Sequence, residues 1–342
     1  MPVKATGPAQ VSRIRVPGTG TAVRLRRADP AKPGYTRQRR GKGFSYRDAQ
    51  GRPLTDPADT ARIRDLVIPP AWQDVWISPD PKGHIQATGT DAAGRRQYLY
   101  HPAWRVKRDA AKFDHVLEAA ARLPRLRRRV TTDLARRGYP RERVLAAAVR
   151  LLDHGLFRVG GDAYAVGDDA TYGLATLRPD HVEPGRNGEI EFRYPAKGGL
   201  ERLCVVSDVD TSRVVRGLLD RRAGEERLFA YRDGREWRDV HSDDVNEYLR
   251  QASGYDMTAK DFRTWHATVR AAEMLAAEGK ASSTTAGRRT VARVMREVAE
   301  ELGNTPTIAR TSYVDPRVVD LYHAGELSSP VDERTVRQLL TG

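Results

Sequence analysis

The sequence predicts an α+β protein, with a small, mostly β N-terminal domain ahead of a larger, mostly helical domain that holds one small sheet. Three observations support this. Between residues 43 and 100, short aromatic and β-branched runs alternate with turn residues. After Pro102, apolar residues recur at three-to-four spacing over long segments. Near residues 180–206 that period gives way to strand pattern, punctuated by Gly185-Arg186-Asn187-Gly188 and Ala196-Lys197-Gly198-Gly199.

Residues 1–42 are the first segment. They carry eleven basic residues and one acid, Asp29, so about +10 of the formal +14 charge lies here. Pro and Gly are scattered among the arginines without a sustained period, which predicts a disordered basic arm. Residues 43–101 form the predicted β-rich domain. Gly43-Phe44-Ser45-Tyr46 opens it, a helical stretch over 59–66 stops before Pro69-Pro70, and strands are predicted at 75–77, 84–88 and 96–100. Asp91-Ala92-Ala93-Gly94 is the turn before the last of these.

Residues 102–342 form the predicted helical domain. Helices are expected at 104–121, 124–137 and 141–154, with Gly138 and Gly155 placed as C-caps. Strands follow at 180–184, 189–194 and 201–206. Helices resume at 208–222, 242–252, 258–277, 287–302 and 315–323. No internal repeat is present.

Composition narrows the function. The 342 residues are 39% hydrophobic and 30% charged, ample for a packed core and a soluble surface. No run approaches the ~18 apolar residues of a membrane span, and no apolar signal core opens the chain. A cytoplasmic, nucleoid-associated protein is expected. One cysteine, Cys204, excludes an internal disulfide and a cysteine-cluster metal site. There is no HExxH, no phosphate-cradling GxxxxGK[ST] and no GxSxG. His241 with Asp243 and Asp244 reads as a helix start rather than a ligand set. The basic excess, concentrated in one segment, points to a polyanion, most often nucleic acid.

What remains is a set of polar residues around a tyrosine. Asn304 lies nine residues before Tyr313, which precedes a helix opened by Pro316. Lys260 and Arg263 sit in the first turn of a long helix, against its dipole, which is tolerable where that positive end meets a phosphate. Arg158 falls just past a helix end. Only nine of the 59 basic residues are lysines, so Lys197, in the Ala-Lys-Gly-Gly turn, stands out. Residue types alone leave Lys197 as an exposed turn lysine and Tyr313 as a half-buried core tyrosine.

Together these residues resemble the type IB DNA topoisomerases, in the compact poxvirus-like form found in bacteria, over about residues 43–325. Arg158 in Phe-Arg-Val-Gly matches the first family arginine, followed by the similar segment Tyr172-Gly173-Leu174-Ala175-Thr176-Leu177. Lys197 matches the hairpin lysine, Arg263 in Asp-Phe-Arg-Thr-Trp the second arginine, and Tyr313 the nucleophile. Poxviral members carry histidine where this chain has Asn304, as bacterial members do. Asparagine can donate a hydrogen bond to a phosphoryl oxygen but cannot serve as an acid.

The resemblance implies a mostly helical catalytic domain of the tyrosine-recombinase type. With the β-rich domain it would form a C-shaped clamp on duplex DNA. It implies supercoil relaxation by a monomer through a 3′-phosphotyrosyl intermediate, without metal, nucleotide or other cofactor. Arg158, Arg263 and Asn304 would hold the nonbridging oxygens, and Lys197 would protonate the leaving 5′ oxygen. It further implies DNA contacts at Gln97, Tyr98, Tyr100 and Tyr164, with Lys260 as an assisting lysine. Tyr98 and Tyr100 alternate on one strand face, which suits groove contacts or core packing equally. Two other readings stand beside this one. A tyrosine site-specific recombinase shares the chemistry, but usually carries histidine at the position of Lys260 and a helical N-terminal domain. A non-catalytic DNA-binding protein would share the charge.

Overall fold

In a computed structural model of the chain, residues 13–15, 22–41, 43–167, 169–221 and 226–342 are described. The chain divides into two compact units, residues 1–112 and 113–342.

The first unit holds two antiparallel strands, β1 (Arg13–Arg15) and β2 (Ala22–Arg24). Its main sheet comprises β3 (Tyr35–Arg40), β4 (Gly43–Arg47), β5 (Gln73–Ile77), β6 (Ile85–Thr90) and β7 (Arg96–Tyr100). All neighbours are antiparallel, in the order β4-β3-β5-β6-β7. Helix α1 (Pro57–Asp65) begins at Asp56, whose carboxylate accepts from the amide of Ala58 at 2.7 Å. Ile63 of α1 packs with Ile68, Val75, Ile77 and Ala87 to form the core of this unit.

The predicted arm needs correction. Residues 1–12, 16–21 and 42 lie outside the described residues, but 22–41 are built into the unit. β3 pairs with β4 on one side and with β5 on the other, so a boundary at residue 43 falls inside a hairpin. Three arginines in β3 hid the strand pattern. Arg37 is a structural residue. Its guanidinium donates to the carbonyls of Ile68, Pro69 and Trp72 at 3.0, 3.0 and 2.7 Å, and lies 4.1 Å from the centre of the Phe44 ring. An arginine can bury its stem and fork while a hydropathy pattern counts it as solvent-facing. Tyr35 completes the anchoring by donating to Asp59 at 2.7 Å.

Helix α2 (Pro102–Leu134) runs as one element of 33 residues where two were expected. Pro124 lies inside it and removes one donor. Burial of Leu123 and Leu126 on either side holds the helix together through that point. The division between the two units falls within α2, at residue 112, rather than at its start.

The second unit is mostly helical, as predicted. α3 (Arg141–Gly155) leads through single 3-10 turns at Asp162–Tyr164, Leu174–Thr176 and Pro179–His181 to β8 (Val182–Pro184). β9 (Glu189–Ala196) and β10 (Leu200–Ser207) complete an antiparallel sheet of order β10-β9-β8. α4 (Val209–Leu219) precedes a hairpin of β11 (Ala230–Asp233) and β12 (Glu236–Asp239). That hairpin was not expected, since neither strand exceeds four residues. α5 (Ser242–Ser253), α6 (Ala259–Glu278) and α7 (Thr284–Leu302) follow. At the start of α5 the amide of His241 donates to Asp244 at 2.9 Å, as a helix cap requires.

The chain then forms a single turn, α8 (Pro306–Ile308), a widened helical turn over Ala309–Tyr313, and α9 (Pro316–Ala324). It ends in α10 (Glu333–Thr341), also unexpected. One large core joins α3, the β9 strand and α6 through Leu145, Leu151, Phe157, Phe192, Phe262 and Trp265.

Candidate active site

Arg158 leaves α3 through a strained turn. Leu156, the cap of α3, has φ of 53°, in the left-handed region that a branched side chain rarely occupies. Such strain persists where the surroundings over-determine it, and it clusters at functional sites. The loop then crosses itself. Leu174 and Ala175 donate to the carbonyls of Arg158 and Val159 at 2.8 and 2.7 Å. Gly173 packs directly on the backbone of Gly160, whose φ is +82°, and a Cβ at residue 173 would collide with it. Glycine at both places lets the two segments touch, which sets the backbone under Arg158.

Asn304 is placed by the end of α7. Gly303 takes φ of 61° as the helix cap, and the amide of Asn304 turns back to the carbonyl of Ala299 at 2.9 Å. Arg158 Nη2 then donates to the carbonyl of Gly303 at 2.8 Å and to Oδ1 of Asn304 at 2.6 Å. A guanidinium only donates, so the facing atom of Asn304 is its oxygen. Its Nδ2 is buried and, among the described residues, has no partner.

Arg263 projects from α6 and is almost fully buried. Nη1 donates to the carbonyl of Leu156, and Nη2 donates to that of Leu302 at 2.7 Å. It therefore bridges the ends of α3 and α7, from which Arg158 and Asn304 emerge. Its Nε is buried without an acceptor among the described residues. Burial, followed by repulsion from Arg158, pushes its pKa down to about 10, which leaves it charged at neutral pH.

Tyr313 ends the widened turn, closed by the Val314 amide reaching back to the carbonyl of Ala309 at 2.9 Å. Such i→i+5 turns are rare and recur at functional sites. The guanidinium carbon of Arg263 lies 5.4 Å from the centre of the Tyr313 ring. Burial alone would raise the phenol pKa. The charge and hydrogen bond of Arg263 outweigh it, Arg158 and Lys260 add to them, and the net direction is downward. Arg158, meanwhile, is lowered mainly by its own burial.

Thr268, five residues beyond Arg263 on α6, was missed in the sequence. Its one hydroxyl proton lies between the carbonyls of Thr264 at 2.8 Å and Tyr313 at 3.2 Å, and its oxygen accepts from the Asp315 amide at 3.1 Å. A buried threonine carries no signal by itself. Asp315 in turn caps α9, accepting from the Arg317 amide at 3.0 Å.

Four of the five predicted catalytic residues, Arg158, Arg263, Asn304 and Tyr313, thus form one linked cluster. Lys197 is exposed in the β9–β10 turn, where Gly198 and Gly199 both have positive φ. Lys260 is exposed one turn before Arg263 and contributes its charge at Tyr313. Tyr164 is 59% exposed. Its 3-10 turn is held by Asp162, which accepts from Arg227 and bonds His241, each at 2.9 Å.

The remaining three predicted residues belong to the first unit. Leu99 packs on that unit's core, so Tyr98 and Tyr100 share the other face of β7. They stack there with ring centres 6.0 Å apart, and Tyr98 is 44% exposed. Gln97 donates to Asp91 at 2.8 Å.

The arrangement presents donors to an anion. Arg158 and Arg263 are fixed by backbone carbonyls and Asn304 is oriented by Arg158, together with a tyrosine whose phenol is held below its ordinary pKa.

Comparison with known proteins agrees with this chemistry. Residues 101–323 match the family model of the catalytic core of eukaryotic DNA topoisomerase I. Residues 43–91 match that of the N-terminal domain of bacterial DNA topoisomerase IB. A protein of Acanthamoeba polyphaga mimivirus named DNA topoisomerase 1B is 30% identical over 301 residues, covering 84% of this chain and 87% of that protein.

Proposed function

The chain belongs to the type IB DNA topoisomerases, and from that membership and the cluster around Tyr313 we infer how it cleaves and reseals DNA. It is an isomerase whose substrate is DNA, in the bacterial form of the family. It relaxes supercoils by transient cleavage of one strand.

In the first step the Tyr313 oxygen attacks a backbone phosphorus. The phenol proton passes to solvent, the phosphorus–tyrosine oxygen bond forms, and the bond to the 5′ oxygen breaks. The strand is held as a 3′-phosphotyrosyl ester, so bond energy is conserved and religation is the same step reversed. Negative charge grows on the nonbridging oxygens. Arg158, Arg263 and Nδ2 of Asn304 receive it as donors already held in place, which need no reorganisation as the charge develops. The leaving 5′ oxygen needs a proton. Arginine is too weak an acid to give one, whereas an ammonium can be tuned. Lys197, on its glycine-flanked turn, is assigned that role, and it takes the proton back on religation. Lys260 assists at the same phosphate.

Tyr164, Gln97, Tyr98 and Tyr100 are assigned to DNA contact, supported by the exposure of Tyr164 and of the stacked Tyr98–Tyr100 pair. Binding that rests on phosphates is steeply salt-dependent. The enzyme is expected to act as a monomer, in the cytoplasm on the nucleoid, with neither nucleotide nor metal.

One observation carries the catalytic assignment: Arg158 occupies Oδ1 of Asn304, leaving the amide nitrogen buried and, among the described residues, unpartnered. The test is plasmid relaxation in EDTA without ATP, wild type against Tyr313→Phe. Relaxation by the first and none by the second, with equal DNA binding, supports the reading. Relaxation by both removes Tyr313 from it. Strand exchange between two duplexes would instead favour the recombinase.

A further inference from the structure

A third arginine enters the same cluster. Arg202 lies on β10, the strand that returns from the Lys197 turn, paired in register with Tyr194 of β9. Its Nη1 donates to the carbonyl of Glu301 at 3.2 Å and its Nη2 to that of Gly155 at 3.3 Å. Each acceptor lies three residues before a catalytic group, Asn304 and Arg158 respectively. Arg202 therefore spans the same two helix ends as Arg263, one residue further back along each helix. Its Nη1 would come within 3.3 Å of a Cβ placed on Gly303, and Arg158 Nη1 within 4.0 Å, so the two guanidinium groups flank that cap. Like Arg263, it leaves Nε buried without an acceptor among the described residues.

The charge is as informative as the spacing. Arg158, Arg202 and Arg263 all donate to carbonyl or amide oxygens, and among the described residues none of them pairs with a carboxylate. Arg202 repels both of the others. Three guanidinium groups at one spot are unfavourable unless an anion arrives or the helix ends need them. Two helix C-termini supply part of the compensation, since their carbonyls carry partial negative charge.

We propose that Arg202 is a positioning residue of the DNA-cleavage reaction: its fork ties the ends of α3 and α7 together and so sets the spacing of Arg158 and Asn304 around the scissile phosphate. The proposal rests on the reading of those two residues as phosphate donors. A planar fork with two donors can hold two carbonyls at a fixed separation, and an ammonium cannot. Through those two residues, Arg202 bears on the nonbridging oxygens and not on the leaving group, although its strand also carries the lysine turn.

The test is single-turnover cleavage of a short duplex by the full chain, with the scissile phosphate carrying either oxygen or sulfur at the 5′ bridging position. A thiolate leaves without a proton, so sulfur bypasses an acid. Wild type, Arg202→Met, Arg202→Lys, Lys197→Ala and Asn304→Ala are compared, with DNA affinity and thermal melting measured for each.

Arg202→Met is expected to cleave the oxygen substrate on the order of 10–100-fold more slowly, as for a misplaced catalytic group. DNA affinity should stay within about twofold. Sulfur should not restore it, whereas sulfur restores Lys197→Ala. Arg202→Lys should stay impaired, and adding Arg202→Met to Asn304→Ala should cost little more than Asn304→Ala alone.

Wild-type rates for Arg202→Met overturn the proposal. So does recovery of Arg202→Met on sulfur, which would place its action at the lysine. So does full activity of Arg202→Lys, which would reduce the role to charge. If Arg202→Met melts much earlier than wild type, the folded Arg202→Lys variant decides. Failure of sulfur to rescue Lys197→Ala would instead count against the acid assignment and leave this proposal standing.

Discussion

The Arg158 guanidinium donates to Oδ1 of Asn304 at 2.6 Å, so the asparagine is oriented by the arginine it works beside, with its amide nitrogen buried and, among the described residues, unpartnered. Leaving such a nitrogen without an acceptor costs on the order of 1–3 kcal/mol. A phosphoryl oxygen recovers that cost, and recovers most where its charge is greatest.

Asn304→Ala is therefore expected to slow single-turnover cleavage by about 100-fold, the loss typical of one oxyanion donor. DNA affinity should be unchanged. Asn304→Asp should be worse, because its carboxylate would pair with Arg158 and face the phosphate with like charge. An alanine variant that cleaves at the wild-type rate would remove Asn304 from the chemistry.

Tyr313 makes a pH prediction. Its phenol is held below the ordinary tyrosine value, with Arg263 the largest cause opposing burial. A lower value means more phenolate at a given pH, so the rising limb of the cleavage rate should lie below pH 10. Arg263→Gln should move that limb to higher pH and also lower the plateau. A limb at the same pH in both proteins would show that Arg263 does not tune the nucleophile.

Thr268→Val tests how Tyr313 is held. The substitution keeps the shape but strips the Asp315 amide of its buried acceptor and removes the proton that the Tyr313 carbonyl shares with that of Thr264. A loss of about 1–3 kcal/mol in denaturant unfolding is expected, with slower cleavage. Unchanged stability and rate together would count against Thr268 as the support.

Gly173→Ala tests the crossing beneath Arg158. The new Cβ would collide with the Gly160 backbone, and backbone cannot yield as a flexible side chain does. Cleavage should fall at least tenfold, since Arg158 moves with that loop. A crystal structure of the variant with Arg158 undisplaced and a normal rate would refute this.

Asp153 anchors the C-terminal helix indirectly. It accepts from Arg127 at 2.7 Å and bonds His266 at 3.1 Å, while Arg127 also donates to Glu333 of α10 at 2.6 Å. Burial opposes ionisation of Asp153, but the Arg127 hydrogen bond and His266 outweigh it, and its pKa lies below the usual carboxylate range. A depressed folded value contributes stability above the unfolded value near ~3.9, lost as pH falls through the folded one. Asp153→Asn should cost about 3 kcal/mol at neutral pH. It should also flatten the loss of stability on acidification, read from urea unfolding between pH 7 and 2. Equal acid sensitivity in both proteins would contradict the linkage.

The sequence by itself determined the α+β class and the helical second unit. It also determined the identity of the residues that meet around Tyr313. These were legible because periodic burial and helix caps are local: the 3.6-residue period of α6 or α7 needs no knowledge of what covers it. Arg158, Arg263, Asn304 and Tyr313 were legible through their order along the chain. Tertiary structure alone decided three further things. It built Arg37 and β3 into a sheet, because an arginine fork buried on distant carbonyls looks like solvent-facing charge until those carbonyls are in place. It carried α2 through Pro124, because burial on both sides offset one lost hydrogen bond. It also made Thr268 and Arg202 neighbours of the site, through acceptors 45 to 99 residues away in the chain. Hydrogen bonds between segments so far apart leave no period and no spacing in a sequence, since they exist only once two helix ends are brought together.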